Sequence, residues 1–244
     1  MIKKIGFVGG DLRIIQLAKM YLQENYLIYT YGLENSSLSK YECEDLNTIN
    51  KECNIIVSGI PFSKDNILIN TPLSGKKIYV KEFFEKIKNK NIFAGVINED
   101  IIKKTQENNI YIYDLMKDEY LTILNAIPTV EGALQIAMQE TEITINSSNC
   151  LVLGFGRIGK VLCKTLYSLG ADVTCSARKE EDFAWIKAYN YKFINTNNIL
   201  KNIQNYQIIF NTIPAQIIGE KELKLINKNT VIIDLASNLG GVDF

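Results

Sequence analysis

Histidine is absent from all 244 residues, and with it goes the commonest general base and metal ligand of neutral-pH chemistry. Any proton transfer must use Asp, Glu, Lys, Tyr or water. Net charge is absent too: 27 basic and 27 acidic residues cancel, so nothing pulls the chain as a whole toward nucleic acid or an anionic membrane. No apolar run approaches the roughly 18 residues a membrane span needs. The start, MIKKIGFVGG, enters a strand at once instead of a signal peptide's apolar segment, so a cytoplasmic location is expected. The five cysteines, Cys43, Cys53, Cys150, Cys163 and Cys175, include no C-x-x-C pair. Without histidine partners no metal site is expected, and Cys150, Cys163 and Cys175 read as small buried hydrophobes. Only four prolines occur, no low-complexity linker is present, and arginine is scarce: three against 24 lysines.

What is present is a repeated plan. KIGFVGGDLRIIQLAKMYLQENYLIYTYG runs strand, Gly9-Gly10 turn, helix and second strand, with Leu12, Ile15, Ala18 and Leu22 near helical spacing. Further strands are expected at NIIVSGI, IFAGV and IYIYD, with helical segments such as VKEFFEKIKNK between them. A second series follows: CLVLG, ADVTCS, YKFIN, QIIFN and VIIDL. This alternation predicts an α/β chain of two Rossmann-like, doubly wound parallel-sheet domains. The expected division is residues 1–125 for a substrate domain, 126–146 for a connector helix starting at Pro128, and 147–244 for a dinucleotide-binding domain. The chain stops at LASNLGGVDF, after a strand, where a doubly wound sheet normally continues, so a shortened chain is expected.

The second domain opens with CLVLGFGRIGK, in which Gly154, Gly156 and Gly159 have G-x-G-x-x-G spacing between a strand and a helix. Gly154 suits the tight turn, Gly156 the close approach of a pyrophosphate, and Gly159 the packing of helix on strand. Phe155, Arg157 and Ile158 complete the turn, whose N–H groups and helix dipole favour phosphate. The acid that normally grips the adenosine ribose is missing. Ser176, Ala177, Arg178 and Lys179 stand there, which leaves room for a 2′-phosphate and supplies a guanidinium to pair with it. NADP is the expected cofactor and NAD the alternative.

Open α/β sheets bind ligands at the carboxyl ends of their strands. That selects Gly10 and Arg13 after the first strand, Pro61 in SGIPFS, Thr212, Ile213 and Pro214 in NTIP, and Ala236 and Ser237 in DLAS. All three arginines, Arg13, Arg157 and Arg178, lie at such turns or strand ends. Arg178 is assigned to the 2′-phosphate, Arg157 to pyrophosphate or a domain contact, and Arg13 to an acidic substrate. The segment AIPTVEG either points its N–H groups at a substrate carboxylate or is a plain helix start.

Together, GGDLR, LNAIPTVEGALQIAM, CLVLGFGRIGK, SAR, NTIPA and DLASNLGGVDF, spread in order over nearly the whole chain, resemble the family of dipicolinate synthase A subunits of spore-forming bacteria. The resemblance implies a fold related to 2-hydroxyacid and alanine dehydrogenases, and a flavoprotein-like partner, the B subunit. It also implies NAD(P)-dependent oxidation of a dihydrodipicolinate in the mother cell during sporulation. A ring dicarboxylate needs cationic and N–H donors, which Arg13 and the helix start at Thr129 would supply. Glu131, Asp114 and Asp11 are the candidate proton acceptors, and a homo-oligomer is expected. The competing readings are a non-catalytic nucleotide-sensing module and a 2-hydroxyacid dehydrogenase, which normally relies on a histidine this chain lacks.

Overall fold

The structure, a computed structural model, describes residues 3–236 and 240–243. Two compact units divide it, Met1–Glu119 and Tyr120–Phe244. The first holds β1 (Lys4–Val8), α1 (Leu12–Gln23), β2 (Leu27–Tyr31), α2 (Leu46–Glu52), β3 (Ile55–Ser58), α3 (Val80–Lys86), β4 (Asn91–Ala94), α4 (Glu99–Gln106) and β5 (Tyr111–Asp114). Its strands are parallel and ordered β2-β1-β3-β4-β5, so the order reverses between β1 and β3. Alternation along β1 builds both faces of the sheet: Ile5 and Phe7 enter one core and Val8 the other. Such two-sided burial is why these strands are short, nearly continuous apolar runs. In α1, Asp11 caps the helix by accepting from the Arg13 N–H, and Ile14, Ile15 and Ala18 are buried. Leu12, expected on that buried stripe, begins the helix and is 72% exposed.

The second unit holds α5 (Glu119–Glu140), which begins on the last residue of the first, then β6 (Asn149–Leu153), α6 (Arg157–Ser168) and β7 (Asp172–Ala177). There follow α7 (Glu180–Ala188), β8 (Lys192–Asn195), β9 (Ile208–Asn211), α8 (Glu220–Leu225) and β10 (Val231–Asp234). The parallel order β10-β9-β6-β7-β8 places the reversal between β6 and β9. Cys150 and Val152 of β6 face one core, Leu151 and Leu153 the other. Cys163 and Cys175 are fully buried in the first of these, as small hydrophobes.

The expected helix start at Pro128 is corrected. α5 begins at Glu119 and carries Pro128 in its interior. A proline there removes one helical hydrogen bond and costs about 3 kcal/mol or more, but Thr122 and Ala126 upstream are buried along with Val130, Ala133, Leu134 and Ala137 downstream, and that continuous buried stripe outweighs one missing bond. The expected boundary at 125 with a separate connector therefore moves to 119, with α5 inside the second unit. By length and composition α5 could cross a bilayer; its residues Val130, Ala133, Leu134 and Ala137 pack into the second unit's core.

Candidate dinucleotide site

The turn from β6 into α6 shows why each glycine of the fingerprint is there. Gly154 has φ +98°, and a Cβ on it would lie 2.6 Å from Thr212 Oγ1. On Gly159 a Cβ would lie 2.1 Å from the Gly154 carbonyl oxygen, so the first turn of α6 packs directly on the turn it follows. Gly156 differs: a Cβ there would meet nothing within 4 Å. Its side is open, as the approach of a ligand requires. Gly156 is also the N-cap, with no side-chain cap, and an uncapped first turn offers N–H groups and the positive helix end to an anion. Phe155 turns inward, 5% exposed, so only its backbone is available to a ligand. Lys160, not singled out from the sequence, lies with its ammonium 5.4 Å from the Phe155 ring centroid, which brings a second cation back toward the turn after Arg157. Ile158 packs partly into the core.

At the end of β7, Ala177 is buried and Arg178, Lys179 and Glu180 are exposed. No carboxylate stands at the ribose position itself. Ser176 is corrected as a phosphate ligand: its hydroxyl is buried, accepts from the Gly154 N–H at 3.2 Å, and receives a bond from Thr196 at 3.3 Å. β7 ends at Ala177, so Arg178 leaves the sheet and escapes the packing that covers Ser176.

The loops after β9 and β10 form one hydrogen-bonded unit. Asn211, fully buried, donates through Nδ2 to Asp234 Oδ1 (2.9 Å) and the Ile213 carbonyl (3.1 Å), and accepts from the Ile213 N–H. Asp234 also accepts from the N–H groups of Ala236, Gly241 and Val242. Burial alone would push this carboxyl up, but the Gly241 and Ala236 N–H groups, the Asn211 amide and the Val242 N–H outweigh it and hold it below its ordinary value. The double glycine follows: a Cβ on Gly240 would lie 2.7 Å from Asp234 Oδ2, and one on Gly241 2.1 Å from Asn211 Nδ2. An Asn and an Asp closing adjacent strands, followed by GG, was the available signal for this hub. The Thr212 hydroxyl bonds the Leu153 carbonyl (2.8 Å) and thereby braces the glycine turn, while Pro214 is exposed. Ser237 lies outside the described residues. A groove of about 770 Å³ lined by Glu140, Ile143, Asn149, Gln207 and Thr230 opens at the opposite, amino ends of the strands. It stands away from the glycine fingerprint, and the carboxyl-end rule for open sheets favours the turn.

In the first unit, Asp11 and Arg13 form a forked ion pair, with Nη2 to Oδ2 at 2.7 Å and Nε to both oxygens at 3.1 and 3.2 Å. The Arg13 guanidinium holds the Asp11 carboxyl below its usual value, and Asp11 raises that of Arg13. Arg13 Nη2 also donates to the carbonyl of Ile60, which precedes Pro61 through a cis peptide. Asp11 is thus a weakened base that orients Arg13. Asp114 accepts from the N–H groups of Val96, Ile97 and Met116, a structural task that ties β5 to the loop after β4 and occupies both of its oxygens. Gly10, with φ +97°, donates its N–H to the Asn70 carbonyl at 2.8 Å, so this unit's own turn is covered by its own chain. The longer α5 overturns the role expected for Thr129: it lies inside the helix, with its hydroxyl bonded to the Asn125 carbonyl at 3.0 Å. Glu131 is exposed in the same helix.

Two doubly wound parallel sheets, one with an open glycine turn at its switch point, define a protein of the two-domain Rossmann class. Residues 129–238 match the family described as D-isomer specific 2-hydroxyacid dehydrogenase, NAD binding domain. Residues 4–116 match the family formed by the N-terminal domains of dipicolinate synthase A subunits. Over its full length the chain is similar to the dipicolinate synthase A subunit of Bacillus subtilis, 27% identical over 99% of this chain and 83% of that protein. The crystal structure of the dipicolinate synthase A chain from Bacillus subtilis superposes with a TM-score of 0.86 at 26% identity, covering 100% of this chain and 84% of that one. A D-isomer specific 2-hydroxyacid dehydrogenase from Lactobacillus delbrueckii, in its NAD complexed form, shares the fold at a TM-score of 0.58 and 14% identity over 96% of this chain and 71% of its own. The resemblance to dipicolinate synthase A subunits therefore holds along the whole chain.

Proposed function

We propose that this chain is the nicotinamide-binding A subunit of a dipicolinate synthase, preferring NADP over NAD. On this reading it oxidises a CH–CH bond of a dihydrodipicolinate to give pyridine-2,6-dicarboxylate in the mother cell of a sporulating bacterium, in its cytoplasm, and its partner is a B subunit. The observation that carries the cofactor reading is the end of β7: a small buried Ala177 where an acid would repel a 2′-phosphate, followed by an exposed Arg178. Gly154 to Gly159 with the α6 terminus would hold the pyrophosphate, with Arg157 and Lys160 beside it. Thr212, Ile213, Pro214 and Ala236 border the nicotinamide end. When bound, the nicotinamide supplies the hydride acceptor.

The rest falls to the chain's own residues. Arg13 is oriented by Asp11 and the Ile60 carbonyl, and its Nη1 is not among those bonds; that group binds a ring carboxylate with Pro61 beside it, while Gly10, buried and bonded to Asn70, shapes the turn instead of touching substrate. Loss of a hydride and a proton yields an aromatic ring, so the step is downhill and water suffices to take the proton. That agrees with the lack of histidine and with the structural employment of Asp11 and Asp114. Glu131 remains a solvent-facing alternative acceptor. Exposed Tyr120, Ile123, Leu124 and Ile127 along α5 support self-association.

Fluorescence titration tests the reading. The purified chain is expected to bind NADPH saturably, and Arg178→Ala to weaken NADPH binding by about 1–3 kcal/mol, the scale of a charge-assisted contact, with NADH nearly unchanged. Equal losses for both nucleotides refute the 2′-phosphate assignment. The missing histidine favours one competing reading, a nucleotide sensor. Its signature is nucleotide binding without dipicolinate absorbance when substrate and the B partner are supplied.

A further inference from the structure

The two units can be compared at the turn that follows their first strands. β1 leaves through Gly9 and β6 through Gly154, both with positive φ. In each, the glycine N–H bonds a carbonyl of the neighbouring strand: Gly9 to Tyr31 at 2.9 Å, Gly154 to Ser176 at 3.2 Å. In each, too, a hydroxyl donates to the carbonyl before that glycine, Ser58 to Val8 at 2.6 Å and Thr212 to Leu153 at 2.8 Å, but beyond this the turns differ. In the first unit the Asn70 carbonyl takes the next N–H and would stand 2.9 Å from a Cβ on Gly9. In the second the turn is open at Gly156, and β7 adds bonds from its own side chains. The Gly154 N–H is shared with Ser176 Oγ at 3.2 Å, and the Cys175 thiol donates to the Gly154 carbonyl at 3.6 Å. Two consecutive residues of one strand thus hold the N–H and the C=O of the same glycine.

Neither side chain is in reach of a ligand, because both residues are 0% exposed. Thr196, itself buried, donates to Ser176 Oγ and closes that side. The held carbonyl is the atom against which Gly159 packs without room for a methyl group. A small displacement of Gly154 therefore moves the first turn of α6, where phosphate would bind.

Resting on the dinucleotide reading of this turn, we infer that Ser176, assisted by Cys175, is a positioning residue that acts through Gly154 on NADH and NADPH alike, and that the 2′-phosphate is recognised without it. The test is Ser176→Ala in the full chain, titrated with each nucleotide. Both dissociation constants are expected to rise by the same factor, about three- to tenfold for one lost hydrogen bond, leaving the NADPH/NADH ratio at its wild-type value. A loss confined to NADPH, or no loss, overturns the inference. Amide hydrogen exchange at Gly154 in the ligand-free chain gives a readout independent of binding: it accelerates in Ser176→Ala, and unchanged exchange also overturns the inference. Should Ser176→Ala fail to fold, Thr196→Val removes only the donor to Ser176 Oγ and is expected to weaken both nucleotides about twofold; unequal effects count against it. Wild-type chain that binds neither nucleotide defeats the proposed function, while the exchange measurement still decides the role of Ser176.

Discussion

Three glycines that look equivalent in a fingerprint perform unequal tasks here. Gly159 is required by the fold, because a methyl group there collides with the Gly154 carbonyl. Gly159→Ala is expected to cost about 3 kcal/mol or more, on the scale of overpacking against a rigid backbone, read as a lower midpoint in urea. Gly156→Ala meets open space but puts a poorer residue at the N-cap of α6, so the stability should fall by about 1 kcal/mol, well short of the Gly159→Ala loss. Nucleotide affinity should nonetheless fall at least tenfold; an unchanged affinity places the pyrophosphate elsewhere. The motif was legible in the sequence, and so was its ligand class. The difference between Ser176 and Arg178 was not, because which neighbour of a strand end faces the core depends on what packs against it, in this case Thr196 and Gly154.

At the scale of elements, strands and their order of appearance followed from apolar runs bounded by turns, while the start of α5 did not. Pro128 is a strong helix-start signal, and only the burial of Thr122 and Ala126 shows that the helix passes through it. The hub joining the loops after β9 and β10 gives a prediction with a sign. Asp234 is held below its ordinary value, so its contribution to stability is present above the unfolded-state value near 3.8 and is withdrawn as pH falls through the folded-state value beneath it. Asp11 acts in the same direction through Arg13. Asp234→Asn replaces an acceptor of four hydrogen bonds and should lower stability by about 1–3 kcal/mol at neutral pH. In thermal melts from pH 6 down to pH 2 the variant should lose less stability than wild type. Parallel curves would remove Asp234 from the acid response.

At the scale of the molecule, two units with separate cores should unfold as two steps, since among the described residues no core cluster is shared between Met1–Glu119 and Tyr120–Phe244. The open glycine turn belongs to the second alone, and the corresponding turn of the first is covered by Asn70. In calorimetry of the full chain, nucleotide at a hundredfold excess over its dissociation constant should stabilise one transition by about 2.7 kcal/mol and leave the other in place. Two transitions shifted together would show that the units unfold as one.

By itself the sequence determined the doubly wound class, the glycine turn and the lack of an acid at the ribose position, because each depends on local periodicity, backbone freedom or residue type. Only the tertiary structure decided which candidates are exposed and which are held by other groups of the chain. Asp11 turned out to cap α1 and hold Arg13, Asp114 to brace a loop, Thr129 to lie inside a helix and Ser176 to lie beneath the turn, since a side chain's task is set by the groups that packing brings to it.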